Sequence, residues 1–359
     1  MTEWKIYRLG DIATMKYGKL PPQNSCGQYP IWSGYRNVGF TDTYNCSKGT
    51  IIVVARGVGG TGDVKIAKED CFLTNLSIAV NIDIDICLPQ YFYYKFYLSN
   101  LRYLDSGSAQ SQITIDDLKR LQISLPSLEE QRRIAGILSA IDDKIENNRR
   151  INDNLEQQAQ ALYKQWFVDS STVKLGDVVK TTSGGTPSRS HMEFYAGKYG
   201  WVKSKELNGS FITNTEESIT DDAIAKSAAK LLPAKSILIA MYGATVGQYA
   251  VLSHPMTCNQ AVCALLPNEN YPYTYLFMVA KNIKEELANK AIGSAQQNIS
   301  QVIIKDIDLS SDIVKIKQFH KIVCPHFEVM EKNQKENETL ATLRDTLLPK
   351  LMNGEIITK

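Results

Sequence analysis

Residues 128–167 read LEEQRRIAGILSAIDDKIENNRRINDNLEQQAQALYKQWF, and their spacing decides the architecture. Ile134, Ile141, Asn148, Leu155 and Leu162 recur every seven residues, and Leu138, Ile145, Asn152, Ala159 and Trp166 form a second line between them. Two interleaved lines of this kind are the seam of a coiled coil. At about 1.5 Å per residue the stretch makes a helix roughly 60 Å long, which reads as a spacer and not as a core element. A second stretch repeats the pattern, with Phe319, His326, Asn333, Leu340 and Leu347 on one line and Val323, Met330, Asn337, Arg344 and Leu351 on the other. Asn148 and Asn152 correspond to Asn333 and Asn337. Pro325 lacks an amide donor and clashes with the preceding turn, so a kink or a fresh helix start is expected there.

The segments that precede the two helices also repeat. Leu9-Gly10-Asp11-Ile12 returns as Leu175-Gly176-Asp177-Val178, and Gly107-Ser108-Ala109-Gln110 returns letter for letter as Gly293-Ser294-Ala295-Gln296. Between them the apolar run and glycine turn Ile51 to Gly57 matches Ile237 to Gly243, and Thr74-Asn75-Leu76-Ser77-Ile78 loosely matches Cys258-Asn259-Gln260-Ala261-Val262. Short β-branched runs bounded by Gly, Pro, Asn and Asp are strand-and-turn chemistry. The fold class expected is α+β: two mixed α/β globular domains separated by two long helices that form an antiparallel coiled coil, with a pseudo-twofold internal repeat. The segments are a first globule over 1–124, a central spacer helix over 125–168, a second globule over 169–311 and a C-terminal spacer helix over 312–359. The Gly-Ser-Ala-Gln copies read as helix caps, since serine at a helix start satisfies free amides, or as a shared turn facing a ligand.

A chain of 359 residues that is 43% hydrophobic favours two or three domains over one. Wholly apolar runs such as Ile51 to Ala55 are too short to span a bilayer, and Met1 to Lys5 lacks a signal-peptide core, so a cytoplasmic protein is expected. A net charge of +2, from 40 basic and 38 acidic residues, neither establishes nor excludes a nucleic-acid partner. The seven cysteines form no metal-like pairing: Cys258 and Cys263 have no second pair to complete a site, and reduced structural thiols are expected. The four histidines are scattered, with His326 on the helix seam.

Gly57-Val58-Gly59-Gly60-Thr61-Gly62 fits the dinucleotide pattern Gly-x-Gly-x-x-Gly, but such a site needs a helix start next, whereas Asp63-Val64-Lys65-Ile66-Ala67 reads as another strand. A loop whose backbone approaches DNA phosphate and a plain hairpin turn are the readings left. No Asn/Asp-Pro-Pro-aromatic string exists to hold a target adenine, and no Gly-x-x-x-x-Gly-Lys-Ser/Thr loop exists to hold ATP phosphates. The residues thus point to a protein that is not an enzyme, with no catalytic constellation, no cofactor and no metal.

Several strings carry a family resemblance. Leu125-Pro126-Ser127-Leu128-Glu129-Glu130-Gln131-Arg132-Arg133-Ile134-Ala135, then Leu138-Ser139-Ala140-Ile141-Asp142, and the C-terminal Arg344-Asp345-Thr346-Leu347-Leu348-Pro349-Lys350-Leu351-Met352-Asn353-Gly354-Glu355-Ile356 resemble signatures of type I restriction-modification specificity subunits. Ser183-Gly184-Gly185-Thr186-Pro187-Ser188, Leu232-Pro233 and Gly243-Ala244-Thr245-Val246-Gly247 resemble that family's target-recognition domains, as do Tyr29-Pro30-Ile31-Trp32-Ser33-Gly34 and Arg56-Gly57. The resemblance implies that each globule reads one half of a bipartite sequence in double-stranded DNA and that the helices set the unread gap. It also implies two modification subunits, which methylate adenine with S-adenosylmethionine, and through them restriction subunits that hydrolyse ATP. One departure stands out: the second copy of the Glu-Glu-Gln-Arg-Arg segment is eroded to Ile316-Lys317-Gln318-Phe319-His320.

Readers of DNA need cations for phosphates and amide or guanidinium forks for base edges. Lys16, Tyr17, Lys19, Tyr35, Arg36, Asn37 and Arg56 are the candidates in the first globule, and Arg189, Lys198, Trp201, Lys203, Ser204 and Lys205 in the second. Each is equally readable as an ordinary solvated surface residue. In an antiparallel helix pair Asn148, Asn152, Asn333 and Asn337 are expected to meet near the twofold and fix the register, against the alternative of hydrated seam positions. Two rival functions stay open: a coiled-coil scaffold whose globules bind protein, and an autonomous methyltransferase, which the absent strings oppose.

Overall fold

Ile51–Val54 and Ile237–Ala240, the two apolar runs, are each the buried inner strand of a sheet. A strand covered on both faces needs an unbroken apolar run, which is why neither shows the alternation of a half-exposed strand. The structure, a computed structural model, describes residues 4–21, 26–57, 60–105, 111–167, 170–291 and 298–356. The Gly-Ser-Ala-Gln copies at 107–110 and 293–296, and Val58 and Gly59 of the glycine motif, lie outside the described residues. The chain divides into two units, Met1–Ile145 with Thr339–Lys359, and Glu146–Glu338.

In the first unit the sheet order is Ala13–Tyr17, Ser77–Ile82, Ile51–Val54, Val64–Ile66, antiparallel throughout. In the second it is Lys180–Ser183, Val262–Leu266, Ile237–Ala240, Tyr249–Leu252, and then Phe211–Ile212 added in parallel. A three-stranded side sheet accompanies each, Arg36–Thr41 with Tyr29–Ser33 and Phe72–Leu73, and Ser218–Ile219 with Tyr195–Val202 and Thr257–Cys258. The repeated Leu-Gly-Asp strings are one-turn helices, Leu9–Ile12 and Leu175–Val178, with Leu9 and Leu175 fully buried. Their glycines are dictated by close approach: a Cβ on Gly10 would stand 3.0 Å from the Cβ of Lys119, and one on Gly176 2.8 Å from that of Lys305. The stretch after Ile51–Val54 is a hairpin returning as Val64–Ile66, with no helix following the glycines. Gly62 packs against the backbone of Leu101 and Arg102, where a Cβ would come within 2.4 Å of the Arg102 nitrogen.

The long helices are continuous over Leu128–Phe167 and Ile313–Met352, 40 residues each. They pair antiparallel. They are more than spacers: Ile134, Leu138, Leu348 and Leu351 belong to the core that holds Leu9, Ile51 and Tyr91 of the first unit. In the second unit Phe167, Phe319, Val323 and Phe327 belong to the core around Ile237, Tyr275 and Phe277. Apolar residues beside the seam, such as Ala135 and Phe327, widen the stripe enough to serve both a partner helix and a globule. The expected break at Pro325 does not occur, and the helix runs through it. Phe319 and Val323 before it and Phe327 and Met330 after it are all buried, so packing on both sides holds a helix that proline alone would weaken by about 3 kcal/mol.

The Glu-Glu-Gln-Arg-Arg string has a structural purpose at its centre. Gln131 is fully buried, its Nε2 donating to the carbonyls of Ile86 and Pro126 at 3.0 Å and its Oε1 accepting from the Leu88 amide at 2.9 Å. In the second unit the fully buried residue that opens the seam three residues before Phe319 is Ile316, so this amide anchor has no counterpart there.

Arg344, an outlier on the apolar seam, is explained by its partners. Its Nη1 donates to Asp142 at 2.7 Å and its Nε to Asp345 at 2.8 Å, its guanidinium lies 4.5 Å from the centre of the Tyr97 ring, and Tyr94 donates to Asp142 at 2.8 Å. Burial works against its charge, but the bonds to Asp345 and Asp142 outweigh it and raise its pKa. Arg344→Met should destabilise the first unit by about 2–3 kcal/mol in denaturant melts, because Asp142 is left half-buried without its counterion. The double variant with Asp142→Asn should recover most of that loss; additive losses would show that the pair is not coupled.

Candidate nucleic-acid interface

In the first unit the loop Thr74–Leu76 gathers most of the candidate residues. The Lys19 amide donates to the Leu73 carbonyl, Thr74 bonds backbone to Trp32 and by its hydroxyl to Ser33 at 3.3 Å, and the amides of Ala55 and Arg56 share the Leu76 carbonyl. Lys19, the turn Gly34–Tyr35 and Arg56 therefore converge on one end of the globule. A Cβ on Gly34 would lie 3.6 Å from the Arg56 carbonyl, and one on Gly60 3.0 Å from the Tyr35 ring. Arg36 stands beside that turn with its guanidinium 4.9 Å from the centre of the Tyr35 ring. Asn37 turns its Oδ1 back to the Gly39 amide at 2.9 Å. Tyr17 accepts from the Ile115 amide at 3.3 Å, and exposed Lys16 precedes it on the strand without a described contact to this group.

Among the described residues, Lys16, Lys19, Arg36 and Arg56 make no ion pair. The hairpin of Tyr29–Ser33 and Arg36–Thr41 also exposes Val38 and Phe40. Sequence reasoning passed over these two because apolar residues in a strand are expected to face a core.

In the second unit the equivalent loop, Cys258–Ala261, plays the same part. The Asn259 amide donates to Val202, that of Gly185 to Cys258, and that of Met241 to Ala261. The candidate cations differ from those of the first unit because carboxylates hold them. Arg189 pairs with Glu217 at 2.7 Å and lies 4.2 Å from the centre of the Tyr195 ring; Lys203 pairs with Glu216 at 3.2 Å and also with Glu217; Lys205 pairs with Glu216 at 2.7 Å. Lys198 stands apart on Asp221 at 3.0 Å.

Trp201 is a correction to the expectation of a surface aromatic. It is buried, its indole N–H donates to the Gly185 carbonyl at 3.0 Å, and it forms a floor 5.3 Å beneath the Arg189 guanidinium. Ser204 lies in the turn Ser204–Glu206, between the two lysines. Hydrogen bonds from Arg189 and then Lys203 hold the Glu217 carboxyl down at about 2, and those from Lys205 and Lys203 lower Glu216. Glu216 and Glu217 were the signal that sequence reading missed: adjacent carboxylates ten or more residues downstream of the lysines they neutralise.

The four seam asparagines meet in two pairs. Asn148 donates through Nδ2 to Asn337 Oδ1 at 2.9 Å and to Glu336 at 2.8 Å, while Asn333 donates to Asn152 Oδ1 at 2.8 Å. The Asn152 amide goes on to the Met330 carbonyl at 3.2 Å. Among the described residues no group of His, Cys, Asp and Glu could hold a metal ion, and no helix is long and apolar enough to cross a membrane.

Comparison with known proteins places this arrangement in a family context. The family model for the type I restriction modification DNA specificity domain matches residues 1–157 and again 168–317. The specificity subunit of the type I restriction enzyme HindI from Haemophilus influenzae is 25% identical, over 99% of this chain and 100% of its own length. That of MjaIX from Methanocaldococcus jannaschii is 28% identical over 99% and 94%. Among solved structures, the S subunit of a type I restriction-modification system from M. genitalium superposes with a TM-score of 0.67 at 20% identity, over 98% of this chain and 96% of that one, and so shares its fold.

If the acidic pair restrains the second globule's cations, Glu216→Gln with Glu217→Gln should tighten binding to duplex DNA. The slope of log affinity against log salt should steepen by about one to two, since each cation delivered to a phosphate adds roughly 0.9. Glu217 is depressed in the folded state, so its pairs are fully formed above the ordinary carboxylate range and lost only as pH falls through about 2. Binding by the unaltered chain should therefore show no step between pH 5 and 8 from this cluster. An unchanged salt slope in the double variant would place the cluster away from DNA.

Proposed function

Because this chain belongs to the type I restriction-modification DNA specificity family, whose members recognise the target and carry no catalysis of their own, we propose how the recognition is divided within it. Each globule reads one half of a bipartite duplex target. The observation that carries this is the duplication itself: two units with the same inner strand, the same Leu-Gly-Asp turn and the same organising loop present different side chains at that loop. In the first, Lys19, Tyr35, Arg36, Asn37 and Arg56 are the proposed contacts, with Lys16 and Tyr17 beside them. In the second they are Arg189, Lys198, Lys203, Ser204 and Lys205, which must exchange carboxylates for phosphates on binding. The family match disfavours a scaffold that binds only protein.

The remaining assignments follow the same reading. The helices set the unread gap and dock two modification subunits, through which restriction subunits join, and the complex works in the cytoplasm on double-stranded DNA. Each helix is roughly 60 Å long, more than one turn of duplex. Replacing residues 169–311 by the corresponding globule of a relative and mapping methylated adenines with the assembled complex tests the division. One half of the methylated sequence should change. A change in both halves, or in the gap alone, would falsify independent reading.

Register is the second element of the proposal. A slip that set either asparagine pair against leucine would strand buried amides at a cost of about 1–3 kcal/mol, so the pairs select one alignment. Changing Asn148, Asn152, Asn333 and Asn337 together to leucine should raise the melting temperature and broaden or shift the preferred gap between half-sites. An unchanged gap with a sharply lowered melting temperature would sink the idea.

A further inference from the structure

The two sheets differ by one strand, and the first unit carries the empty place. In the second unit Phe211–Ile212 lies parallel to Tyr249–Leu252, with Phe211 opposite Val251. The amides of Val251 and Ser253 donate to the carbonyls of Ser210 and Ile212, and the Tyr249 carbonyl accepts from Gly209. Phe211 packs on the helix side of the sheet with Tyr249 and Phe277, and Ile212 on the opposite side with Leu238 and Leu252. Among its described residues the first unit has no counterpart strand, because the connection from Val202 to Ser218 is cut there to the turn Gly34–Tyr35. Val64–Ile66 consequently ends its sheet.

The ladder shows what that edge offers. Val54 and Ala67 donate to Asp63 and Thr50 across the Ile51–Val54 hairpin, so by alternation Val64 and Ile66 turn their N–H and C=O groups outward. No described strand pairs with them. By register against the central strand, Ile66 matches Val251, the residue that Phe211 faces in the other unit. Beside this edge is a cavity of about 610 Å³ that reaches both faces of the sheet, lined by Tyr93 and Tyr97 on the helix side and by Trp32, Ile52 and Cys71 on the other. These are the two sides on which Phe211 and Ile212 are received in the second unit.

We propose that the edge Val64–Ile66 with this cavity is a docking slot for an extended segment of a partner protein, entering parallel to the edge and carrying an aromatic residue followed by an aliphatic one. Strand addition of this kind takes its affinity from backbone hydrogen bonds and its selectivity from pockets for alternate side chains. The edge is three residues long and bears Lys65, whose ammonium lies 5.9 Å from the centre of the Trp32 ring. A short edge with a lysine discourages indiscriminate pairing, so the slot admits a strand that also fills the pockets. The inference goes beyond DNA reading and does not depend on which bases are read.

The probe is a synthetic peptide with the sequence of residues 208–214, added to the full chain and followed by calorimetry and Trp fluorescence. Saturable binding of one peptide per chain is expected. Ile66→Pro removes an outward amide that the hairpin ladder does not use, and should weaken binding about tenfold, the worth of one backbone hydrogen bond; because Ile66 also packs against the core, Ile66→Val serves as the control that trims the side chain but keeps the amide and should bind as the unaltered chain does. A peptide with Phe211→Ser and Ile212→Ser should not bind, which tests the pockets on the unaltered protein. Absence of binding, or binding indifferent to both changes, overturns the proposal. Displacement of the peptide by duplex DNA, or a dimer of the chain abolished by Ile66→Pro, overturns it in favour of nucleic acid or a second copy.

Discussion

Each long helix must bury a stripe wider than its partner helix can cover, and much of the structure follows from that constraint. A seam of two lines per heptad serves a helix pair, but Ala135, Phe327 and Met352 add a flank that water would otherwise wet. The globules supply the cover. In the second unit Phe167 and Phe319, with ring centres 5.6 Å apart, close an aromatic cluster with Tyr163 and Tyr275, so that helix pair and sheet share one core. The helices thus fix the globules on them, instead of merely linking them in sequence.

Most polar groups that enter this apolar frame have an answer, the buried Asn148 Oδ1 and His326 Nδ1 being exceptions among the described residues. The seam asparagines answer one another, Arg344 is answered by Asp142 and Asp345, and Gln131 satisfies three backbone groups where the helix meets the preceding loop. Each of these is orientation-specific in a way that leucine is not, and a mismatch in any of them leaves a buried group bare. Apolar burial supplies the attraction between elements, and these few polar contacts select the alignment.

Much of this was legible in the chain. Heptad spacing gave both helices, the Leu-Gly-Asp copies gave the repeat, and the apolar runs gave the inner strands, because each follows from a periodicity or a local steric need. Pro325 misled because its local cost is overridden by Phe327 and Met330, whose burial depends on residues distant in sequence. The ion pairing of Arg189, Lys203 and Lys205 was hidden for the same reason: their neighbours in space are Glu216 and Glu217, not their neighbours along the chain. Trp201 looked like a surface aromatic among lysines, and only the side sheet it helps to build puts it inside. The missing strand of the first unit is a shortened connection, which a repeat found by its landmarks does not register.

The first unit is assembled from both ends of the chain, Met1–Ile145 and Thr339–Lys359, whereas the second is a single uninterrupted stretch. Leu348, Leu351 and Met352 lie in the same core as Leu9, Ile51 and Phe92. During synthesis the globule made first therefore waits with part of its apolar surface uncovered until residues 339–352 leave the ribosome, while the globule made second has all of its own stretch once residue 338 has emerged. Order of synthesis and order of completion are reversed. A frameshift or nick near residue 340 would consequently injure the amino-terminal head and spare its carboxy-terminal neighbour, so the two halves of the address are unequally exposed to premature termination.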